Sequence, residues 1–169
     1  METLEAISTR HSVRQFTEQA VEPEKIEQIL QAAMNAPSAG NEQPWHFVVV
    51  TDRNILDSLV EIHPYARMCL TATVAIIPCL ETELEKHEVF GVQDLSAATE
   101  NMLLATHALG LGAVWVGVYP KEDRMSPIQA LLNLPKNIQP FCIVPIGYAA
   151  SEQKVIDRYN KDRVHHEHW

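Results

Sequence analysis

The feature that most constrains the fold of this chain is a set of apolar runs that alternate with segments of helical spacing. The runs lie at residues 45–51, 73–77, 113–118 and 141–146. Short apolar runs bounded by turn residues are typical of buried strands. Because helices and strands alternate along the whole chain, we predict that they pack around one sheet, in an α+β or three-layer architecture.

The segments between these runs follow helical periodicity. Residue Asp52 can cap one helix, and Gly110 can end the longest one in a left-handed conformation. Pro37 disfavours helical geometry at the residue before it. We therefore predict helices at residues 2–8, from Pro23 to near Asn35, after Asp52, at 94–109, and at 126–132 with Pro127 near its start.

Length, charge and cysteine content limit the class of protein. A chain of 169 residues favours one domain, spanning 1–169. The net charge of −9 argues against a nucleic-acid or anionic-membrane surface and makes any local arginine cluster more informative. The 3 cysteines show no C-x-x-C spacing, so we expect buried thiols in a reducing compartment. The N-terminus is polar and unlike a signal peptide, so we expect a cytoplasmic protein.

The first candidate site is the segment Arg10-His11-Ser12-Val13-Arg14. Arginine supplies planar, charge-assisted donors, and a serine hydroxyl adds a neutral donor, so the segment suits a phosphate. If the segment is extended, Arg10, Ser12 and Arg14 project to one side. The alternative is a solvated basic turn that joins two elements.

The second candidate site is the loop at residues 36–45. Its prolines and glycine restrict the backbone, and Ser38, Asn41 and Gln43 offer donors and acceptors. Such a loop can recognise the edge of a planar heterocycle. The alternative is a plain connector between a helix and a strand, with Trp45 buried.

The glycines at 110–117 are not a dinucleotide-binding motif, because a helix precedes them and a strand follows. Gly117, near a strand end, permits close approach of a ligand to the backbone. The histidines at 165, 166 and 168 leave a metal-binding module open as an alternative. A Cys–His nucleophile also stays open, although no single cysteine stands out. Asp94 and Glu100 are interpreted as helix-end or solvent-facing carboxylates.

Taken together and in this order, the motifs resemble the nitroreductase family of FMN proteins. Residues 10–14 are similar to its phosphate-binding segment and residues 37–45 to its flavin-contacting loop. Residues 93–101, 109–112 and 115–117 are similar to its central helix and following strand. Arg163, His165 and Trp169 resemble the closing segment of its short members. The resemblance spans nearly the whole chain.

The resemblance implies a three-layer α/β/α fold with a central mixed, mainly antiparallel sheet. It also implies an intertwined homodimer with FMN sites between subunits, in which residues from about 150 to 169 dock on the partner subunit. The phosphate and ribityl chain would be held by Arg10, Ser12, Arg14 and Arg163. The flavin would be contacted by Pro37, Ser38, Ala39 and Asn41 from one subunit and by Trp115, Val116 and Gly117 from the other. His11 and Gln43 would either touch the flavin or support its loop.

The resemblance further implies an oxidoreductase in which NAD(P)H reduces FMN and then leaves, after which an acceptor such as a nitroaromatic or a quinone takes its place. We predict no side chain as a catalytic acid or base. We expect residues 82–90 to cover the active site. Alternatives left open are a flavin-dependent dehalogenase, a flavin-fragmenting enzyme and an FMN-binding protein without turnover.

Overall fold

The computed structural model describes residues 1–87, 89–151 and 155–169, and within them the chain forms five α-helices and six strands. The helices are α1 (Thr3–Thr9), α2 (Pro23–Met34), α3 (Arg53–Ile62), α4 (Gly91–Ala108) and α5 (Glu122–Leu131). The strands are β1 (Trp45–Val50), β2 (Val74–Glu81), β3 (Gly112–Ala113), β4 (Val116–Gly117), β5 (Ile138–Pro140) and β6 (Cys142–Gly147). Short 3₁₀ turns lie at Ala39–Asn41, Arg67–Leu70 and Lys161–Arg163.

The strands form one sheet in the order β1-β2-β6-β3, with β4 also paired to β6 and β5 paired to β2. All of these strand pairs are antiparallel. The parallel contribution within the described residues is an isolated bridge between Ser12 and Ala113. The prediction of a mainly antiparallel central sheet is therefore confirmed.

Helices cover both faces of the sheet, which confirms the three-layer α+β architecture. Alternate residues of β2 point to opposite faces, as the period of a strand requires. One core lies between the sheet and helices α2 and α4, and includes Ile76, Leu80, Ile29, Ala33, Leu95 and Met102. The other lies between the sheet and helices α3 and α5, and includes Ala75, Ile77, Leu56, Leu59 and Ile128.

Several predicted boundaries are confirmed by local chemistry. Helix α2 begins at Pro23 and is capped by Asn35. The Asp52 carboxylate accepts a hydrogen bond of 2.8 Å from the Asn54 amide at the start of α3. Gly110, just after α4, has a φ of 77°, in the left-handed region that favours glycine, and this conformation terminates the helix. Since β3 follows this turn, the order is helix then strand, opposite to a dinucleotide-binding motif.

Two helices begin earlier than predicted. The Glu85 carboxylate accepts a hydrogen bond of 2.8 Å from the Gly91 amide, which starts α4 about one turn sooner. Helix α5 begins at Glu122, and its acidic first turn is favoured by the helix dipole. Pro127 therefore lies inside α5, and its predicted position near the helix start was wrong.

The predicted strands differ from the observed ones in extent. Strand β2 continues past Ile77 to Glu81, because β1 and β5 pair with its second half. The predicted strand at 113–118 is divided into β3 and β4, which pair with β6 in the same register. The interruption lies opposite Pro145, which has no amide proton to donate. Within the residues described, no helix has the length and apolar character needed to cross a bilayer.

Candidate functional site

The segment at residues 10–14 is fixed along the edge of the sheet at β3. The Val13 amide donates a hydrogen bond of 2.9 Å to the Ala113 carbonyl, next to the bridge between Ser12 and Ala113. Val13 is buried, and its side chain fills the space where a Cβ on Gly112 would stand. Because this joint is rigid, the backbone of the predicted phosphate segment is held in one place.

The two arginines of this segment point to different parts of the structure. Arg10 Nε lies 3.4 Å from Glu100 Oε1 on α4. Arg14 instead lines a cleft together with Trp115, Val116 and Gly117. Arg14 is exposed, and it makes no ion pair with any residue in the described part of the chain. The structure thus brings Arg14 to the predicted 115–117 site, while Arg10 lies against α4.

His11 supports this segment through local contacts. Its Nδ1 atom lies 3.0 Å from the Thr9 carbonyl, and its ring meets the edge of His107 with centroids 5.6 Å apart. The Thr9 hydroxyl lies 2.7 Å from His107 Nε2. These contacts tie residues 9–11 to the end of α4.

The loop at 37–43 is held by two bonds that involve its own predicted site residues. The Ala39 amide donates to Asp94 Oδ1 at 3.0 Å, in the first turn of α4. The Gln43 amide donates to Ser38 Oγ at 3.0 Å. Gly40, Asn41 and Gln43 all have positive φ values, a conformation uncommon outside glycine. The side chains of Pro37, Asn41 and Gln43 are left exposed.

His87, from the segment expected to cover the active site, packs against this loop. The Glu42 side chain is only 3% exposed, and its Oε1 accepts a hydrogen bond of 2.8 Å from the His87 amide. A Cβ on Gly40 would lie 2.9 Å from His87 Nε2, so glycine lets the two segments approach closely. Residue 88, within the expected cover at 82–90, lies outside the described residues.

The cleft beside Gly117 has a volume of about 410 Å³ and is lined by Arg14, His63, Tyr65, Met68, Val114, Trp115, Val116, Gly117 and Arg124. This volume is within the range of small-molecule sites. A Cβ on Gly117 would meet no atom within 4 Å, so the backbone there is open to a ligand. Of the described residues, two arginines and no carboxylate line the cleft, which therefore suits an anionic or electron-rich group.

His63 is a residue of this cleft that sequence reasoning missed. It is 1% exposed. Its Nδ1 accepts a hydrogen bond of 3.1 Å from the Tyr65 amide, so the ring proton is on Nε2. Nε2 donates to the Gly117 carbonyl at 2.8 Å, and Arg124 Nη1 donates to the same carbonyl at 3.2 Å. A single histidine after α3 carries no pattern that predicts this contact with β4.

Within the described C-terminal residues 155–169, none lines the cleft beside Gly117 or hydrogen-bonds to the 37–43 loop. Arg163 lies in an exposed 3₁₀ turn. His165 stacks on Trp169, with ring centroids 4.2 Å apart. Among residues 1–87, 89–151 and 155–169, no group of three or more potential metal ligands comes together.

The cysteines are buried thiols, as predicted. Burial raises the pKa of both Cys69 and Cys79 to about 12. Burial also raises the pKa of Cys142. A thiolate is the reactive form of cysteine, so these residues are poor candidates for a nucleophile at neutral pH.

Two histidines, the buried His63 and the partly buried His107, are expected to make the folded protein sensitive to acid. Burial lowers the pKa of His63 below the ordinary value of 6.5, and the Arg124 charge lowers it further. Burial, followed by the charges of His11 and Arg10, lowers the pKa of His107. The unfolded chain binds a proton at each of these histidines more tightly than the folded chain does. The free energy of unfolding should therefore be highest above pH 6.5 and decrease as the pH drops toward the folded-state pKa values.

Urea unfolding at a series of pH values above and below 6.5 would measure this loss. A His107→Gln variant should lose part of the pH dependence, because one of the two titrating groups is gone. An equal pH dependence in the variant and in the original chain would contradict the assignment to His107.

Fold and site together define a class: a three-layer α+β protein in which an arginine-lined cleft meets an open glycine backbone at the sheet. The chain belongs to the nitroreductase family, whose sequence profile matches residues 7–75 and 63–148.

Individual relatives agree with this membership. A Methanothermobacter thermautotrophicus protein, provisionally named NADH dehydrogenase/NAD(P)H nitroreductase, is 49% identical over 169 residues, covering 100% of this chain and 88% of its own length. A crystal structure of a Parabacteroides distasonis protein with the same provisional name superposes with a TM-score of 0.95 at 41% identity, covering 99% of this chain and 98% of that one. A provisionally named Desulfovibrio desulfuricans nitroreductase, crystallised in complex with FMN, superposes with a TM-score of 0.85 at 32% identity, covering 100% and 98% of the two chains.

Proposed function

We propose that this protein is an NAD(P)H-dependent FMN oxidoreductase that works as a homodimer. The observation that carries the proposal is Arg14, which faces the same cleft as the open backbone of Gly117 and has no ion pair among the described residues. An arginine without a carboxylate partner is suited to a ligand with negative charge. The FMN found in the Desulfovibrio relative is such a ligand.

The residues present fit FMN in both charge and shape. An FMN phosphate is close to dianionic, and in a chain with a net charge of −9 it needs local arginines. Arg10, Ser12, Arg14 and Arg163 hold the phosphate and ribityl chain in this proposal. The flavin ring lies against Trp115, Val116 and Gly117 in this proposal, where the position of a Cβ on Gly117 has no atom within 4 Å. The flavin supplies the hydride chemistry, and the protein binds and orients it.

The loop at 37–43 contributes from the partner subunit in this proposal. No hydrogen bond or ion pair among the described residues joins the 37–43 loop to the cleft at 115–117, although both carry predicted flavin contacts. The loop presents Pro37, Ser38, Ala39 and Asn41, with His11 and Gln43 supporting the site. A site built from two copies is consistent with the lack of such a bond within one chain.

The C-terminal segment supports the dimer, because it exposes a run of apolar side chains. Val155, Ile156, Tyr159 and Val164 are from 45% to 77% exposed, and Trp169 is fully exposed. Exposed apolar surface of this kind marks an interaction site. The proposed occupant is a second copy of this chain.

Removing residues 155–169 is expected to abolish the dimer and the bound FMN, because the tail supplies both apolar contacts and Arg163. Light scattering at fixed protein concentration would report the mass. An Arg163→Ala variant of the full chain is the control: it should stay dimeric and lose only flavin affinity. A truncated chain that remains an FMN-loaded dimer would contradict the role of the tail.

The proposed reaction passes electrons from NAD(P)H through FMN to an acceptor such as a nitroaromatic or a quinone. Donor and acceptor bind in turn over the same ring face, so the kinetics are ping-pong. The chain has no dinucleotide-binding motif of its own, which agrees with a nicotinamide that stacks on flavin. The three buried thiols support a reducing compartment, and we place the protein in the cytoplasm.

Steady-state assays would test the reaction. NADH and NADPH should each be tried with a nitroaromatic, a quinone and a halogenated phenol. Parallel double-reciprocal lines with the first two acceptors would support the proposal. Turnover confined to the halogenated compound would favour the dehalogenase alternative, and no turnover with any acceptor would favour a binding protein.

A further inference from the structure

The Gly117 carbonyl is held by two side chains from different elements. His63, directly after α3, donates from Nε2 at 2.8 Å, and Arg124, on α5, donates from Nη1 at 3.2 Å. Arg124 also lies over the Tyr65 ring, 5.7 Å from its centroid. A short strand of two residues thus receives two side-chain donors at its last carbonyl.

This arrangement exceeds what the fold alone needs. Strand β4 already pairs with β6, and the amide of Val118 donates to the Phe141 carbonyl at 3.2 Å. The Arg124 Nε atom is buried and has no hydrogen-bond partner among the described residues, a cost that a purely structural role would not explain. The donors meet at Gly117, the glycine of the cleft, where an added Cβ would have no atom within 4 Å.

We propose that His63 is a positioning residue that orients the Gly117 peptide for contact with the flavin, with Arg124 as its second donor. This inference rests on the proposed function, since Gly117 needs orienting only if a ligand lies against it. His63 acts in its neutral form with the proton on Nε2, because Nδ1 accepts from the Tyr65 amide.

Protonation of His63 would place a second proton on Nδ1, opposite the Tyr65 amide proton, and break that bond. The charged and titratable groups that face His63 are Arg124 and Asp123 on α5, Tyr65 on its own loop, and Arg14 across the cleft. Burial and the Arg124 charge lower the pKa of His63, whereas the hydrogen bond to the Gly117 carbonyl and the Asp123 charge raise it. Acid should therefore release the His63 ring from the Tyr65 amide, so that the ring and the Gly117 carbonyl bound to Nε2 are held in a different orientation, and it should lower the affinity for FMN.

The test measures the FMN dissociation constant of His63 variants by flavin fluorescence at pH 7.5 and at pH 5.5. His63→Phe keeps an aromatic ring but removes the donor, and it should weaken FMN binding roughly tenfold at the higher pH. His63→Gln keeps a donor near the position of Nε2, and it should restore most of the affinity. The FMN phosphate also titrates in this range, so the pH effect specific to His63 is the part that His63→Gln lacks.

Three outcomes separate the possibilities. Rescue by glutamine together with a reduced pH dependence would support the positioning role. Equal affinities in the original chain, His63→Phe and His63→Gln would overturn it, while FMN binding itself stands. No FMN binding by the original chain would instead reject the proposed function. Ile29→Val, a mild change in the core on the other side of the sheet, serves as the control and should leave FMN affinity unchanged.

Discussion

Replacing Arg10 and Arg14 together by alanine is expected to strip FMN from the protein and leave a folded chain. A charge-assisted hydrogen bond contributes roughly 1.5–3 kcal/mol, so losing two should weaken FMN binding by about 100-fold or more. The fold should survive, because Arg14 is exposed and the ion pair of Arg10 with Glu100 is partly exposed. Exposed ion pairs contribute little to stability.

Flavin absorbance after gel filtration, together with circular dichroism, would measure both halves of this prediction. The two single variants would separate the contributions of the arginines. Arg14→Ala should weaken FMN binding more than Arg10→Ala does, because Arg10 already has a carboxylate partner. Lys136→Ala removes one positive charge at an exposed position outside the cleft and serves as the charge-matched control for the two single variants. Unchanged flavin content in the double variant would contradict the phosphate assignment.

Gly112→Ala is expected to destabilise the fold strongly, whereas Gly117→Ala should leave folding intact. A Cβ on Gly112 would lie 2.6 Å from the Val13 Cβ, inside the joint that fixes residues 10–14 to the sheet. Overpacking of a tight core costs about 1–3 kcal/mol, and a rigid backbone contact belongs at the upper end. Gly117 has open space at the same position, and its φ is not in the left-handed region.

Urea unfolding at equal protein concentration would compare the two variants. Gly112→Ala should show a lower free energy of unfolding. Gly117→Ala should unfold like the original chain and bind FMN more weakly, because its new methyl group enters the cleft. Equal stability of the two variants would show that the joint between Val13 and Gly112 is looser than described.

Much of the fold was predictable because its elements carry local signals. Pro23, Asp52 and Gly110 mark boundaries through their own backbone or side-chain chemistry, and each acts as expected. The first residues of α4 and α5 were harder to predict from the sequence. The first depends on Glu85, which reaches the Gly91 amide only after the intervening loop has folded. The division between β3 and β4 depends on Pro145, a residue of another strand.

The candidate site likewise combines residues that a local sequence pattern predicts with residues that no local pattern predicts. Residues 10–14, 37–43 and 115–117 stand out in the sequence because charge, proline or glycine concentrates there. His63 and Arg124 do not stand out, and they reach Gly117 from sequence positions that no short motif covers. Their contribution emerges only when α3, α5 and β4 meet.

The visible absorption spectrum of the freshly purified protein, repeated without oxygen after addition of NADH or NADPH, tests the central claim most directly. We expect the bands of oxidised flavin at about one FMN per chain, and bleaching of those bands by at least one of the two nucleotides. A colourless protein that also takes up no added FMN would contradict the account.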